Sequence, residues 1–406
     1  MSRFLFITLP LTGHVYPASA MAQMLAEGGH EVAWVGSEAR LRPLIGADAT
    51  VYGTRLRPYR GLADTGLTSV KSLWDDFVVP YTRFTLPTVE KAVQEYRPDV
   101  LVVDQHALAG ALVAERQGLR WATMCSSSME LARPFAKLPK IEAWIRGHLA
   151  TVWAQAGLPD GEVPDLRFSP YLVVALTSRA LTGGLSFPDH YALVGPSLSA
   201  RPATADFPWG WLDPGRRHVL VTVGTMAENN ATDSTDFYGR AAAALAPLGD
   251  RVQAVVIAPP DAIPDPPEHV LVAPRVPLLE LMQHLDAVVC HGGLNTVCES
   301  LSCGVPLVIA PLTRDQPINA EQVVAAGAGL RVSFSRVTPD QLRAALTTVL
   351  DEPAYRAAAG RVRDSFAAAG GARAAAQRLA QLAAGKTMPV PANPVSANSA
   401  APGAKK

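Results

Sequence analysis

The chain has no excess of charge of either sign. Its 406 residues include 36 lysines and arginines against 36 aspartates and glutamates, which gives a formal net charge of zero. A protein that binds nucleic acid or an anionic membrane surface usually carries a basic excess or a basic patch. The composition therefore gives no indication of a nucleic-acid or membrane partner.

Cysteines and long apolar runs are also scarce. The four cysteines are Cys125, Cys290, Cys298 and Cys303, and none forms a C-x-x-C pair. This predicts neither a zinc site nor a disulfide framework and favours a reducing cytoplasm. No run of about 18 apolar residues occurs, so no membrane span is expected. The apolar N-terminus resembles a signal peptide only loosely, because proline and polar residues interrupt it.

Two successive β/α series fill most of the chain, whose length fits two domains. The first series is predicted as a strand over 4–9, a turn over 12–14, a helix over 17–25 and a strand over 30–35. A second series begins with a strand over 218–223, after a segment rich in proline, alanine and aspartate. The predicted divisions are a first domain over 1–200, a linker over 201–216, a second domain over 217–370, a C-terminal helix over 371–385 and a disordered tail over 386–406.

A glycine-rich segment, CHGGLNTVCES at residues 290–300, follows an apolar strand and opens a helix. Gly292 and Gly293 let a ligand approach the backbone closely because they carry no side chain. Unpaired N–H groups and the positive end of the helix favour a diphosphate, and His291 can add a donor. The pattern predicts an anion site; the alternative is a glycine-rich turn with a purely structural role.

The same helix carries three further polar side chains. Asn295 or Thr296 can cap its first turn. Glu299 lies one turn further on, where its carboxylate can accept hydrogen bonds from ribose hydroxyls, as acidic residues do in dinucleotide folds. These positions suggest that the anion is part of a nucleotide.

Three motifs occur together in this part of the chain: HGG-x-N-T-x-x-E from residue 291, GVP from residue 304 and DQ-x-x-NA from residue 315. With them, residues 270–320 resemble the nucleotide-sugar signature of the family 1 glycosyltransferases, which include macrolide, antibiotic and plant secondary-product enzymes. The segment TLPLTGHVYPASAMA at residues 8–22 is similar to the acceptor-domain opening of that family. With weaker β/α matches between, the resemblance spans most of the chain.

The resemblance implies an α/β protein with the GT-B fold, in which two Rossmann-like domains face each other across a cleft. The first would bind a small apolar natural product through its hydroxyl group, such as a polyketide, a macrolide or a phenolic compound. The second would bind a UDP- or dTDP-sugar. The implied reaction is an inverting hexosyl transfer without metal or cofactor, and the absence of any D-x-D pair weakens a metal-dependent mechanism. The acceptor, the sugar, the linkage and the oligomeric state stay open.

The resemblance also implies roles for particular residues. Glu299 would hold the ribose, and Asp315 and Gln316 would hold the sugar hydroxyls. The implied diphosphate ligands are His291, Gly293, Asn295 and Thr296, with Thr225 as a further phosphate ligand.

One position departs clearly from the family pattern. The family usually has an aromatic residue, then Ala or Val, Pro and Gln, upstream of the glycine-rich core. Here the aligned residues are Arg275, Val276, Pro277 and Leu278. Arginine replaces the aromatic side chain that stacks on the base, although a guanidinium plane can also stack.

The predicted catalytic pair is His14 and Asp104. An acceptor hydroxyl must lose its proton as it attacks the sugar, and a histidine is the natural base near neutral pH. The resemblance places the family's base at His14, and Asp104, at the end of the VLVVD strand, could orient the imidazole. The alternatives are a surface or capping role for His14 and a helix cap for Asp104. His106 is a weaker competitor for the base.

An acceptor pocket is predicted from a group of aromatic and apolar side chains in a region without clear β/α rhythm. A flat apolar aglycone would fit such a pocket. The alternative, that most of these residues are ordinary core, is at least as well supported. The residues are Trp74, Phe77, Tyr81, Phe84 and Met129.

Two other function classes remain open. A non-catalytic relative could bind nucleotide and assist a partner transferase, but it would not need both His14 and Asp104. A hydride-transfer enzyme would need G-x-G-x-x-G after the first strand. The loop there reads PLTGHVYP and lacks that motif.

Overall fold

The computed structural model describes residues 1–54, 66–198, 206–224 and 231–385, with the side chains of 231–234 left aside. These residues form two parallel β-sheets of seven and six strands, each flanked by helices. Parallel sheets of this kind are buried on both faces, so their strands are near-continuous apolar runs. The predicted α/β class with two Rossmann-like domains is confirmed.

The first sheet has the strand order β3-β2-β1-β4-β5-β6-β7. Its strands are β1 Arg3–Ile7, β2 Glu31–Gly36, β3 Thr50–Gly53, β4 Val100–Asp104, β5 Trp121–Cys125, β6 Leu172–Ala175 and β7 Tyr191–Leu193. Its helices are α1 Thr12–Glu27, α2 Glu38–Ile45, α3 Gly66–Ser72, α4 Val79–Tyr96, α5 Ala109–Gln117, α6 Ser128–Ala132, α7 Pro139–Gln155 and α8 Arg179–Thr182. A π-helical turn, Leu73–Val78, joins α3 to α4.

The second sheet has the strand order β10-β9-β8-β11-β12-β13. Its strands are β8 Arg217–Thr222, β9 Val252–Ile257, β10 Val270–Ala273, β11 Ala287–Cys290, β12 Leu307–Ile309 and β13 Gly329–Arg331. Its helices are α9 Ala231–Leu245, α10 Leu278–Leu281, α11 Leu294–Ser302, α12 Gln316–Ala325, α13 Pro339–Asp351 and α14 Pro353–Ala369, and a last helix, α15, spans Gly371–Ala383.

The last helix returns to the first domain. Leu379 and Leu382 of α15 pack with Phe4 and Phe6 of β1 in one buried cluster. The Arg120 guanidinium donates to the carbonyl of Leu382 at 2.9 Å. The chain therefore joins its two domains twice, through the segment after β7 and through α14 and α15. Part of the predicted linker and the predicted tail lie outside the described residues.

The start of α1 differs from the prediction. Residues 12–14 were expected to form a turn before a helix starting at Pro17, but α1 already begins at Thr12. The Leu11 carbonyl accepts the N–H groups of His14 and Val15 at 2.9 and 3.0 Å. Proline has no N–H, so Pro17 cannot bond to the carbonyl of Gly13, four residues earlier. The helix can still pass through Pro17 if that carbonyl finds another partner. His14 thus sits in the first helical turn.

No helix in the described part of the chain is long and apolar enough to cross a membrane.

Candidate active site

Three polar side chains meet where neighbouring strands of the first sheet end. His14 follows β1, Asp104 is the last residue of β4, and Ser126 directly follows β5. His14 Nδ1 lies 2.7 Å from Asp104 Oδ2. Ser126 Oγ donates to the same carboxylate oxygen at 2.8 Å and lies 2.8 Å from His14 Nδ1. The structure thus brings the predicted pair together and adds a serine.

Asp104 is fully buried and ionised. Burial by itself would raise the pKa of this carboxyl, but the charge and hydrogen bond of His14, helped by His106, lower it below its ordinary value. The backbone N–H of His106 donates to Asp104 Oδ1 at 3.1 Å. An ionised carboxylate only accepts hydrogen bonds, so His14 Nδ1 carries the proton in their shared bond. The other ring nitrogen, Nε2, is left with a lone pair for an acceptor proton.

Sequence reasoning missed Ser126. The signal available was its place directly after β5, beside the strand that ends in Asp104, because parallel strands end along one edge of the sheet.

His106, the competing base, has a different role. It is buried, and its Nε2 lies 3.1 Å from Glu130 Oε1. Arg167 binds the other oxygen of Glu130 at 2.7 Å. His106 therefore belongs to an internal ion network.

The diphosphate motif forms the turn between β11 and α11. Gly292 has φ 86°, a left-handed backbone that favours glycine. A Cβ at Gly293 would lie 2.7 Å from His291 Nε2, and one at Gly224 would lie 2.5 Å from His291 Cε1. The His291 ring therefore occupies the space that these two glycines leave open.

His291 is neutral near pH 7. Burial lowers the pKa of its imidazole to about 4, against the opposing effect of a backbone hydrogen bond to Thr222. Its Nδ1 is buried and has no hydrogen-bond partner among the described residues. A neutral imidazole carries a single N–H, so His291 can donate to an anion only when that N–H leaves Thr222, and a neutral donor is weaker than a charged one.

The helix α11 begins without a side-chain cap. Its N-cap is Gly293, so the prediction that Asn295 or Thr296 caps it is wrong. The first N–H bonded back into the turn is that of Val297, to the Gly293 carbonyl at 3.0 Å. The N–H groups of residues 294–296 remain available, as at any helix N-terminus. Thr296 lies in this half-buried first turn.

Glu299 is buried on the side of α11 that faces the first domain. It lines an interdomain pocket of about 370 Å³ that is partly open to solvent, together with Tyr16, Ser197 and Asn295. The pocket adjoins the first turn of α11 at Leu294 and Asn295. This position is compatible with the predicted role of Glu299, which stays a prediction.

Asp315 and Gln316 stand at the start of α12. Burial raises the pKa of the Asp315 carboxyl above its ordinary value, while a hydrogen bond from Asn319 and the charges of Arg314 and His14 oppose the rise. Gln316 Oε1 accepts the N–H groups of residues 312 and 313 at 2.8 and 2.9 Å. Only the amide nitrogen of Gln316 is left for a sugar hydroxyl.

The two residues predicted to contact the base differ in burial. Arg275 is exposed after β10, and Val276 is buried in the core of the second domain. Thr225 lies outside the described residues.

Four of the five predicted acceptor residues belong to the buried core of the first domain: Trp74, Phe77, Tyr81 and Met129. The Tyr81 hydroxyl donates to the Thr8 carbonyl at 2.7 Å. The fifth, Phe84, is 50% exposed. The arrangement favours the alternative that these side chains are ordinary core, because the four pack in one buried cluster with the strands β1 and β4.

The two domains thus place a histidine–carboxylate pair opposite the open N-terminus of a helix, which is the GT-B architecture. Residues 245–382 match the family described as "Erythromycin biosynthesis protein CIII-like, C-terminal domain". The 4'-demethylrebeccamycin synthase of Lentzea aerocolonigenes is 30% identical over 90% of this chain and 96% of its own length. The chain belongs to the glycosyltransferases of antibiotic and related natural-product biosynthesis.

Solved structures have the same fold. The glycotransferase of kitacinnamycin is similar with a TM-score of 0.75 and 24% identity, covering 94% of this chain and 99% of the other. The spinosyn rhamnosyltransferase SpnG, complexed with thymidine diphosphate, has a TM-score of 0.71 and 24% identity, covering 93% of this chain and 100% of the other.

Proposed function

We propose that this glycosyltransferase moves a hexose, with inversion, from a UDP- or dTDP-sugar to a hydroxyl group of a small apolar natural product. The observation that carries the proposal is the hydrogen-bonded pair of His14 and Asp104, 2.7 Å apart, opposite the N-terminus of α11. The Asn295 side chain of α11 reaches the Gly13 carbonyl at 3.0 Å, so the two motifs adjoin each other.

The proposed step is a single displacement. The acceptor oxygen forms a bond to the anomeric carbon as the bond from that carbon to the diphosphate oxygen breaks. The acceptor proton moves to His14 Nε2, and Asp104 stabilises the imidazolium that results. Attack from the face opposite the diphosphate inverts the anomeric configuration.

The leaving diphosphate gains charge, and the N–H groups of residues 294–296 are oriented to receive it. Donors that are fixed in advance stabilise developing charge without reorganising. The single N–H of the neutral His291 ring can join these donors when it turns from Thr222 to the diphosphate. We therefore propose a transfer that requires neither a metal nor an organic cofactor. The thymidine diphosphate bound by SpnG supports a nucleoside diphosphate donor here.

An apolar acceptor is supported by side chains of both domains. Leu11, at the entrance to α1, and Ile318, on α12, pack against the core of the first domain at the cleft. The rebeccamycin-type relative supports an acceptor from natural-product biosynthesis. The four cysteines are all free, and we place the protein in the reducing cytoplasm.

The test is turnover by the purified protein. It is incubated with UDP-glucose, dTDP-glucose and dTDP-rhamnose and a panel of phenolic, polyketide and macrolide alcohols, with and without EDTA. Mass spectrometry should detect a glycosylated product, and nuclear magnetic resonance should show an inverted anomeric centre. Tight binding of UDP or dTDP without any product would favour the auxiliary nucleotide-binding protein. Retention of configuration would overturn the single displacement.

A further inference from the structure

The carbonyl next to the catalytic base has lost its partner within its own helix. In an α-helix, the carbonyl of Gly13 would accept the N–H of residue 17. That residue is Pro17, which has no N–H. The regular α-helical partner of the Gly13 carbonyl is therefore missing, and a donor from outside α1 can take its place.

The second domain supplies that partner. Asn295 Nδ2, on the first turn of α11, donates to the Gly13 carbonyl at 3.0 Å. A Cβ at Gly13 would lie 3.3 Å from the same nitrogen. The glycine thus gives the amide room to approach. Since Gly13 immediately precedes His14, the bond connects the diphosphate helix to the backbone that carries the base.

A second bond also connects the two domains. Ser128 Oγ, at the start of α6, donates to Asn319 Oδ1 of α12. Asn319 Nδ2 in turn donates to the Gly292 carbonyl at 2.8 Å and lies 3.2 Å from Asp315 Oδ2. Ser128 stands two residues after Ser126, whose hydroxyl bonds to Asp104. This bond therefore connects the glycine-rich turn to the loop that supports the dyad.

We propose that Asn295 and Asn319 are positioning residues that hold the His14–Asp104 pair in register with the donor diphosphate. The proposal rests on the proposed transfer function. Asn295 acts through the Gly13 carbonyl that Pro17 leaves free, and Asn319 acts through Ser128. With both bonds formed, the two domains hold the base at a set distance from the donor site. A base misplaced by a fraction of an ångström loses much of its effect on the rate.

The first test separates positioning from diphosphate ligation. Asn295→Ala should lower kcat about tenfold, the scale of one hydrogen bond realised in the reacting complex. The dissociation constants of UDP and dTDP, measured by calorimetry without acceptor, should stay within about twofold of wild type. If Asn295 is chiefly a diphosphate ligand, those constants rise and the proposal is overturned.

The second test uses the proline. Pro17→Ala restores an N–H that can bond to the Gly13 carbonyl within α1, so this carbonyl no longer depends on Asn295. In that background, Asn295→Ala should lower kcat by less than about threefold, because one bond has replaced the other. An undiminished tenfold loss would show that Asn295 does not act through Gly13.

Ser128→Ala tests the second bond without altering the donor domain or the backbone of α1. It should lower kcat about three- to tenfold and leave the UDP and dTDP constants unchanged. Gln117→Ala removes an exposed amide at the end of α5 and should match wild type, which controls for general effects of amide loss.

The outcomes separate a failure of the proposed transfer function from a failure of the positioning role. If the wild-type protein transfers no sugar from UDP-glucose, dTDP-glucose or dTDP-rhamnose to any acceptor of the panel, the proposed function fails. If wild type is active and both Asn295→Ala and Ser128→Ala keep kcat within twofold, the positioning role alone is wrong. Reduced kcat at constant nucleotide affinity in both variants, with rescue by Pro17→Ala, is the expected result.

Discussion

Replacing Asp104 with asparagine should place the proton on the wrong nitrogen of His14. The carboxylate now accepts three hydrogen bonds, from His14, Ser126 and the backbone N–H of His106. In Asp104→Asn, the backbone N–H still requires an oxygen, so Oδ1 stays with His106 and the new NH₂ group faces His14 Nδ1. That group can only donate. His14 Nδ1 must then accept, and its proton moves to Nε2, the nitrogen that the acceptor needs.

The expected loss is large because two effects combine. Proton transfer by a positioned base contributes about 10²–10⁴-fold to a rate, and the wrong tautomer removes that contribution. The imidazolium also loses a charge-assisted hydrogen bond, worth about 1.5–3 kcal/mol. We expect kcat to fall by about 10³-fold, within the range spanned by these terms. The volume of the side chain hardly changes, so the core around β4 should stay packed.

The assay is single-turnover transfer to an unactivated alcohol or phenol, with UDP and dTDP affinity measured by calorimetry. Nucleotide affinity should not change, because the substituted residue lies in the first domain. Ser126→Ala is the matched control, since it removes a hydroxyl from the same carboxylate without moving a proton on His14. It should lower kcat only about two- to tenfold. A kcat for Asp104→Asn within about threefold of wild type would refute the assignment of the dyad.

Four further outcomes are expected. His14→Ala should lower kcat at least about 100-fold at unchanged nucleotide affinity, and near-normal transfer to an unactivated alcohol would remove His14 as the base. His291→Ala and Thr296→Ala should each weaken UDP and dTDP about two- to tenfold in calorimetry, since each removes a neutral donor. His291→Gln should flatten the dependence of stability on pH. The His291 imidazole has a pKa of about 6.5 in the unfolded chain and about 4 in the folded protein. The free energy of unfolding of wild type therefore falls as the pH falls through this window, by about 3 kcal/mol, and the variant lacks this loss. An equal change of unfolding free energy with pH in both proteins, measured by denaturant titration, would contradict this. Arg275→Ala should weaken the binding of UDP and of dTDP by a similar factor, on the scale of about 1–3 kcal/mol for a stacked base, whereas Arg275→Trp should keep that binding. Dissociation constants that do not change in Arg275→Ala would show that the guanidinium stays in solvent.

Periodicity and turn chemistry were enough to predict the architecture. Largely apolar runs such as 100–104 and 287–290 are typical of strands in a sheet covered on both faces, and Gly292 and Gly293 mark the turn from the second run into a helix. The missed strands are short, including β3 Thr50–Gly53 and β13 Gly329–Arg331. Such segments have too few residues for a pattern and depend on pairing with a neighbouring strand.

At the site, the sequence and its family resemblance determined the kinds of group: a histidine after the first strand, a carboxylate at the end of the fourth, and a glycine-rich helix start in the second domain. The glycine-rich pattern is local, whereas the role of the histidine came from the resemblance. Tertiary structure decided the partners. Ser126 joins the dyad, Asn295 reaches Gly13 across the cleft, and Trp74 is buried in the core. Burial makes His291 neutral. Hydrogen bonds between residues far apart in the chain, and the desolvation that shifts a pKa, depend on distances that exist only after the two domains have folded and met.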